Sequence, residues 1–226
     1  MLWDTILLAE VTEWYQGLDG NTADLVTAAV DLLADSGPSL GRPLVDTLRG
    51  SSLAHLKELR PGSLGRSEVR ILFAFNPRRQ AILLTAGDKA GQWKAWYVQH
   101  IPVAEKRYAQ WLASWRRGGD MKAENWKAVR AGAVADGRID EKRVTELKAA
   151  ALAQVRAHRL AEVRSASGLT QEELSRRLGI SQSRVSRIER GDLEKTELAT
   201  LRAFVQALGG DIEVTVKLGE ERFLIG

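Results

Sequence analysis

Residues 168–191 read Gly-Leu-Thr-Gln-Glu-Glu-Leu-Ser-Arg-Arg-Leu-Gly-Ile-Ser-Gln-Ser-Arg-Val-Ser-Arg-Ile-Glu-Arg-Gly. Thr170 followed three residues later by Glu173 is a capping box, a helix start in which each side chain satisfies the other's backbone N–H. Leu174 and Leu178 give that helix a buried face, and Gly179 supplies the tight turn after it. Ser181 then caps a second helix, whose inward residues are Val185 and Ile188. Its outward residues, Gln182, Ser183, Arg184, Arg187 and Arg190, are all hydrogen-bonding types. A short helix with such an outer face suits the DNA major groove, where its first residues reach base edges while the preceding helix crosses the backbone. Arginine to guanine and glutamine to adenine are the pairings that geometry favours.

Working outward, residues 140–166 form a long helical pattern with Val144, Leu147, Ala151 and Val155 on one stripe. Four shorter helical units follow and end at Gly209-Gly210, and the alternating tail around Gly219 reads as a terminal hairpin. Upstream, the chain divides at Gly118-Gly119-Asp120, with Met121 placed where an independent chain could begin. Before that junction stand a short apolar stretch over Thr5–Val11, a helical spacing over residues 21–35 stopped by Ser36-Gly37-Pro38, and loop composition over 39–50. Alternation then takes over. Val69, Ile71, Phe73 and Phe75 share one strand face, Asn76-Pro77-Arg78-Arg79 makes a hairpin connection, and Ala81–Ala86 is a central strand. Residues 101–117 return to helix. The fold class is α+β: a small antiparallel sheet packed by helices, then an all-α unit with a C-terminal β-hairpin. The divisions are residues 1–117, a linker and arm over 118–150, a DNA-reading unit over 151–210, and the hairpin over 211–226.

The 226 residues are 44% hydrophobic and 27% charged, the balance of a globular protein. There are no cysteines, which removes disulfides, thiol catalysis and thiolate metal sites, and the three histidines are scattered, so no metal or cofactor is expected. No apolar run approaches membrane-spanning length and the N-terminus lacks a signal-peptide pattern, so the chain is expected in the cytoplasm, without a membrane. The net charge of +4 is unevenly placed. Lys57–Lys94 holds eight basic residues against three acids, and Arg156–Asp192 holds eight arginines against five acids, which points to two separate polyanion sites.

The 152–208 region resembles the lambda-repressor-like (XRE-type) helix-turn-helix family. The resemblance implies that Gln171 contacts phosphate, that Gln182, Ser183 and Arg187 read bases with Arg184 beside them, and that the unit binds a palindromic operator as a homodimer. In the first half, Leu56-Lys57-Glu58-Leu59-Arg60, Arg66-Ser-Glu-Val-Arg70-Ile-Leu-Phe73, and Gly87-Asp88-Lys89 followed by Trp93, Lys94, Trp96 and Tyr97 set cations among aromatics. Metal-independent RNA cleavage needs a base for the 2′-hydroxyl, cations for the crowded phosphorane and an acid for the leaving 5′-oxygen. Lysine, arginine and tyrosine can supply these, and aromatic faces hold unpaired bases.

These segments resemble the RelE/HigB toxins in their Gp49-like branch, ribosome-dependent mRNA endonucleases, over residues 3–112. The resemblance places Arg70 at the phosphate-stabilising arginine, Lys89 at the basic residue after the last central strand, and Tyr97 at the late tyrosine. Lys57 is taken as the base, with Arg60, Arg66 and Lys94 as supporting cations and Trp93 as a stacking surface. Glu58 departs from the pattern, because some members carry a second lysine there, and His55 is a second candidate base. A toxin-like unit followed by an XRE-type unit has the order of a HigBA-like pair in one chain. Residues 121–150 would then be the arm that neutralises the toxin by intramolecular contact, with Trp126 and Val129 as anchors. Two readings stay open: a latent endoribonuclease fused to the DNA-binding inhibitor that represses its own operator, or a transcription regulator whose first domain is an inactive sensing or dimerising module.

Overall fold

The computed structural model describes residues 3–62, 67–116, 121–190, 196–218 and 221–225. The chain forms two compact units, Met1–Leu152 and Ala153–Gly226. The first contains a six-stranded sheet built from β1 (Asp4–Leu8), β2 (Val45–Thr47), β3 (Lys57–Leu59), β4 (Val69–Phe75), β5 (Gln80–Asp88) and β6 (Ala123–Asn125), in the order β2-β3-β4-β5-β1-β6. The pairings are antiparallel except that β1 runs parallel to β5. The expected antiparallel sheet therefore carries one parallel pair. Two helices, α1 (Ala9–Gln16) and α2 (Gly20–Ser36), follow β1, and parallel neighbours need such a crossover. β2 lies within the stretch whose composition reads as loop.

The central strands β4 and β5 are buried on both faces, which is why their sequences are nearly continuous apolar runs. On one side Leu8, Leu56, Leu72, Ala74, Ile82 and Leu84 pack against Trp96 and Ala104 of α3 (Trp93–Arg116), a helix that begins eight residues before the predicted start. Gly87 permits this packing, because a Cβ there would stand 3.0 Å from Trp96 Nε1. α2 is capped by Asp19, which accepts from the Thr22 N–H at 3.0 Å. It ends at Gly37, whose φ of +55° and contact with the Trp3 indole exclude any side chain.

The segment after residue 120 folds as part of this unit. β6 pairs along the free edge of β1, and Asn125 caps α4 (Trp126–Ala135) by accepting from the Lys127 N–H. Trp126 is 3% exposed; its Nε1 donates to Asp31 Oδ1 at 2.8 Å and its ring meets Tyr15 edge-on at 5.2 Å. Arg130 bridges Asp31 and Glu141, and the Asp140 N–H donates to Asp24 Oδ1 at 2.9 Å. Asp24 and Asp31 are thus buried acids on α2 that receive their partners from residues more than ninety positions later. The compact unit accordingly extends to Leu152, beyond the junction read at residues 118–120, which itself lies outside the described residues.

α5 (Glu141–Ala166) starts in the first unit and ends in the second. There α6 (Gln171–Leu178), α7 (Gln182–Glu189) and α8 (Leu198–Ala207) enclose Leu174, Val185, Ile188 and Phe204. The described residues hold three helices between α5 and Gly209 where four units are expected. Both halves of the capping box form at Thr170 and Glu173, Gly179 is left-handed at φ 64°, and Ser181 accepts from the Arg184 N–H. β7 (Thr215–Leu218) and β8 (Glu221–Leu224) make the terminal hairpin. Among the described residues no helix is long and apolar enough to cross a membrane.

Removing the Trp126 side chain empties a packed site and strips a buried carboxylate of a donor. Trp126→Ala is expected to lower stability by roughly 3–5 kcal/mol, read as the shift in a urea unfolding curve of the full chain. A loss below about 1 kcal/mol would show that the segment is not held through this residue.

Candidate active site and candidate nucleic-acid interface

Strand alternation decides which side chains of the first unit meet. β3 pairs Glu58 with Leu72 and Asp46, and pairs Lys57 with Phe73 and Thr47, so Glu58 and Lys57 point to opposite faces. On the Glu58 face, β2, β3, the start of β4, the end of β5 and the first turns of α3 surround a cavity of about 530 Å³. Arg60, Arg70, Lys89, Trp93 and Tyr97 line it, together with Arg42, Asp46, Arg49 and Glu58. Among the described lining residues five are basic and two acidic, so the cavity carries an excess of positive charge.

Glu58 is the hub, at 2% exposure. Its Oε1 accepts from Arg60 through Nε at 2.8 Å and through Nη2, and its Oε2 accepts from the Tyr97 hydroxyl at 2.6 Å. Arg70 Nε lies 3.7 Å from Oε2, an ion pair beyond hydrogen-bond reach, while Arg70 Nη1 donates to the Val69 carbonyl. Asp46 ties Arg60 (2.9 Å) and Arg42 (3.1 Å). Lys89 is almost wholly buried: its ammonium meets Glu68 Oε2 at 2.8 Å and stands 5.1 Å from the Trp93 ring centre.

Burial and the Glu58 carboxylate together push the Tyr97 phenol up to about 12, so it is a neutral donor at physiological pH. Burial works against the Arg60 guanidinium, yet Glu58 and Asp46 hold its pKa above the usual value. For Asp46, burial is outweighed by hydrogen bonds from Arg42 and the Thr47 N–H and by the Arg60 charge, and its pKa falls. Lys89 holds the Glu68 carboxyl below the ordinary range.

The structure brings Arg60, Arg70, Lys89, Trp93 and Tyr97 together, and leaves two of the predicted residues apart. Lys57 is absent from the described lining; its Nζ donates to Thr47 Oγ1 at 3.0 Å. Lys94 is exposed on α3 and also outside the described lining. Arg66 lies outside the described residues. Of the residues given catalytic roles, Arg70, Lys89 and Tyr97 line the cavity and Lys57 does not, because a one-residue step along β3 from Glu58 reverses the face. His55 is exposed in the turn before β3, and His100 stacks on Trp96 at 4.1 Å while bonding its backbone carbonyl. Sequence reasoning missed Arg42, Asp46 and Arg49, which sit in the stretch read as loop, and the central place of Glu58. The one available signal was Glu58 itself, an acid where the family pattern carries a lysine. Among the described residues no cluster of His, Asp and Glu could hold a metal ion.

In the second unit α6 and α7 are joined by a chain of polar contacts. Gln182 Nε2 donates to Gln171 Oε1 at 3.1 Å, Gln171 Nε2 donates to Glu189 Oε2 at 2.8 Å, and buried Glu189 pairs with Arg164. Ser183 meets Ser181 through their hydroxyls at 2.9 Å. Arg187 and Arg190 are exposed and Arg184 half-buried. Gln182 and Ser183 are exposed as well, and the two glutamines are held in register with each other.

The Glu58–Tyr97 bond has a titration signature. An absorbance titration of the full chain, taken as a difference from the Y97F variant, is expected to place Tyr97 ionisation near pH 12. Glu58→Gln should bring it down toward the ordinary value of about 10. The unfolded phenol ionises near pH 10 and the folded one near 12, so its share of stability is whole below pH 10 and lost as the pH rises through 12. A wild-type value near 10 would break the link.

Residues 13–109 match the family described as Phage derived protein Gp49-like, and residues 157–217 match a helix-turn-helix domain family. HigB2 of Mycobacterium tuberculosis, named as a toxin, is 57% identical over 103 residues, 46% of this chain and 51% of HigB2, so the chain spans about half the length of that relative. HigB3 of the same organism, also named as a toxin, is 51% identical over 114 residues, 50% of this chain and 97% of HigB3. HigA3, named as an antitoxin, is 46% identical over 99 residues, 43% of this chain and 91% of HigA3. With a HigB-type sheet unit bearing a cationic cavity and a HigA-type helix-turn-helix after it, the chain belongs to the HigB–HigA toxin–antitoxin family, both parts in one polypeptide.

Proposed function

We propose that the chain is a latent mRNA endoribonuclease joined to a DNA-binding antitoxin part that represses its own operator. One observation carries the nuclease reading: Arg60, Arg70 and Lys89 meet Tyr97 and Trp93 in a single cavity. A scissile phosphate seated there lies against the Arg70 guanidinium and the Lys89 ammonium, which stabilise the charge that grows on the phosphorane. The Tyr97 phenol, neutral at physiological pH, gives its proton to the leaving 5′-oxygen by turning it away from Glu58 Oε2. The Trp93 indole, 59% exposed, offers a face to an unpaired base. Lys57 does not itself line the cavity; its ammonium donates to Thr47, a residue that does.

The DNA reading rests on the outer surface of α7, with Gln182, Ser183 and Arg187 toward bases and Gln171 toward phosphate, in a homodimer on a palindromic operator. Both substrates place the chain in the cytoplasm. The segment proposed to neutralise the toxin, residues 121–150, docks on β1 and α2, and the described lining of the cavity includes none of it. The competing reading, a regulator with an inactive first domain, is favoured by one observation: Arg60, Arg70 and Lys89 are each already paired with a carboxylate.

Expression of the whole compact unit, residues 1–152, separates the two. The nuclease reading expects growth arrest with mRNA cut within codons, both lost in Arg70→Ala and kept in Lys57→Ala. Intact mRNA would leave the regulator. For the DNA part, Arg187→Ala is expected to weaken binding of the full chain to its selected operator by about 1–3 kcal/mol, and to relax base preference at one position of each half-site. Uniform weakening across all sequences would make Arg187 a phosphate contact instead.

A further inference from the structure

Of the three carboxylates paired with the cavity's cations, Glu58 and Glu68 differ in kind. Glu58 is buried, with both oxygens engaged by side chains from different elements. Glu68 has a side chain 47% exposed, and one of its oxygens, Oε2, lies 2.8 Å from Lys89 Nζ and 3.9 Å from Arg70 Nη2. Its main chain is pinned: the Glu68 N–H donates to Asp88 Oδ1 at 2.8 Å, and its carbonyl accepts from the Lys89 N–H at 3.2 Å. The carboxylate can therefore leave by side-chain rotation alone, with no movement of β4 or β5. An anionic oxygen between an ammonium and a guanidinium is also what a bound phosphate presents at the same spot.

We infer that Glu68 is a built-in competitor for the phosphate site, standing where an oxygen of the scissile phosphodiester binds and swinging out when it arrives. This inference rests on the proposed nuclease site and gives it a resting state. Lys89 is held in place beneath Glu68 at 2.8 Å, so the site is ordered before substrate comes. Glu68 is the half-exposed partner of that pair, so its carboxylate can give way to a phosphate that engages both cations at once. Glu58 cannot play this part, since its departure would strand Arg60 and Tyr97.

The test uses the full chain and inorganic phosphate, followed through the Trp93 indole N–H signal, which W93F assigns. Glu68→Gln is expected to bind phosphate about fivefold more tightly than wild type, the size of one half-exposed ion pair released. Glu68→Asp keeps the charge but shortens the reach to Lys89, and should fall on the glutamine side. Arg70→Ala added to Glu68→Gln should remove binding. Equal or weaker binding by Glu68→Gln, wild-type behaviour by Glu68→Asp, or no response in any variant overturns the inference. Tighter binding by Glu68→Gln with intact mRNA in cells making the whole compact unit, residues 1–152, would sink the nuclease reading and keep the competitor. Cleaved mRNA with unchanged phosphate affinity would do the reverse.

Discussion

A carboxylate taken out of water must be met by donors, and in the first unit that requirement falls on Glu58. Residue 58 is on the inward face of a three-residue strand and almost wholly buried. Its donors are Arg60, just after the strand, and Tyr97, from a helix that starts four residues after Lys89, while Arg70 of the neighbouring strand adds an ion pair at 3.7 Å. An unpaired buried charge would be several kcal/mol unfavourable, so β3, β4 and α3 are obliged to meet at one point. The cavity is the space left around that meeting. Its cations are ordered by acids, which explains how so much positive charge is held close together without mutual repulsion opening the sheet.

The same logic operates along α2. Asp24 and Asp31 are buried on a helix whose other residues form an apolar core, and unpaired they would weaken it. The segment from β6 to the start of α5 satisfies them through Trp126, Arg130 and the Asp140 N–H. β6 meanwhile covers the edge of β1, which would otherwise present unpaired backbone groups. Strand addition and carboxylate pairing act together, so this segment is a structural part of the first unit as well as a connection to the second. Its contacts combine a buried aromatic centre at Trp126 with a partly exposed polar rim, a seam of the kind that separate proteins use when they associate.

In the second unit specificity is a matter of order. A glutamine on a solvent-facing helix has several rotamers, and fixing it costs entropy at the moment of binding. The contact chain from Gln182 through Gln171 to Glu189 and Arg164 fixes it beforehand. The buried end is an ion pair, and the exposed end is the proposed reading surface.

The sequence alone determined the elements whose signals are local. The capping box at Thr170, the left-handed Gly179, the Ser181 cap and the apolar spacing of Val185 and Ile188 each depend on residues within a few positions, and all are present in the fold. The hairpin at Asn76–Arg79 and the central strands were legible for the same reason. The extent of the first unit and the floor of the cavity were decided by tertiary structure. Whether Lys57 or Glu58 faces the cavity depends on the pairing of β3 with β2 and β4, and β2 is too short to have a periodicity of its own. Asp46 reaches the site because it pairs with Glu58 across β2 and β3, and Arg42 is tied to Asp46, contacts that spacing along the chain does not encode. Asp24 and Asp31 read as the polar face of an ordinary helix, since their partners arrive from about a hundred residues downstream. Short-range hydrogen bonds leave a local pattern, whereas a buried charge and its distant partner are joined only when the chain has closed upon itself.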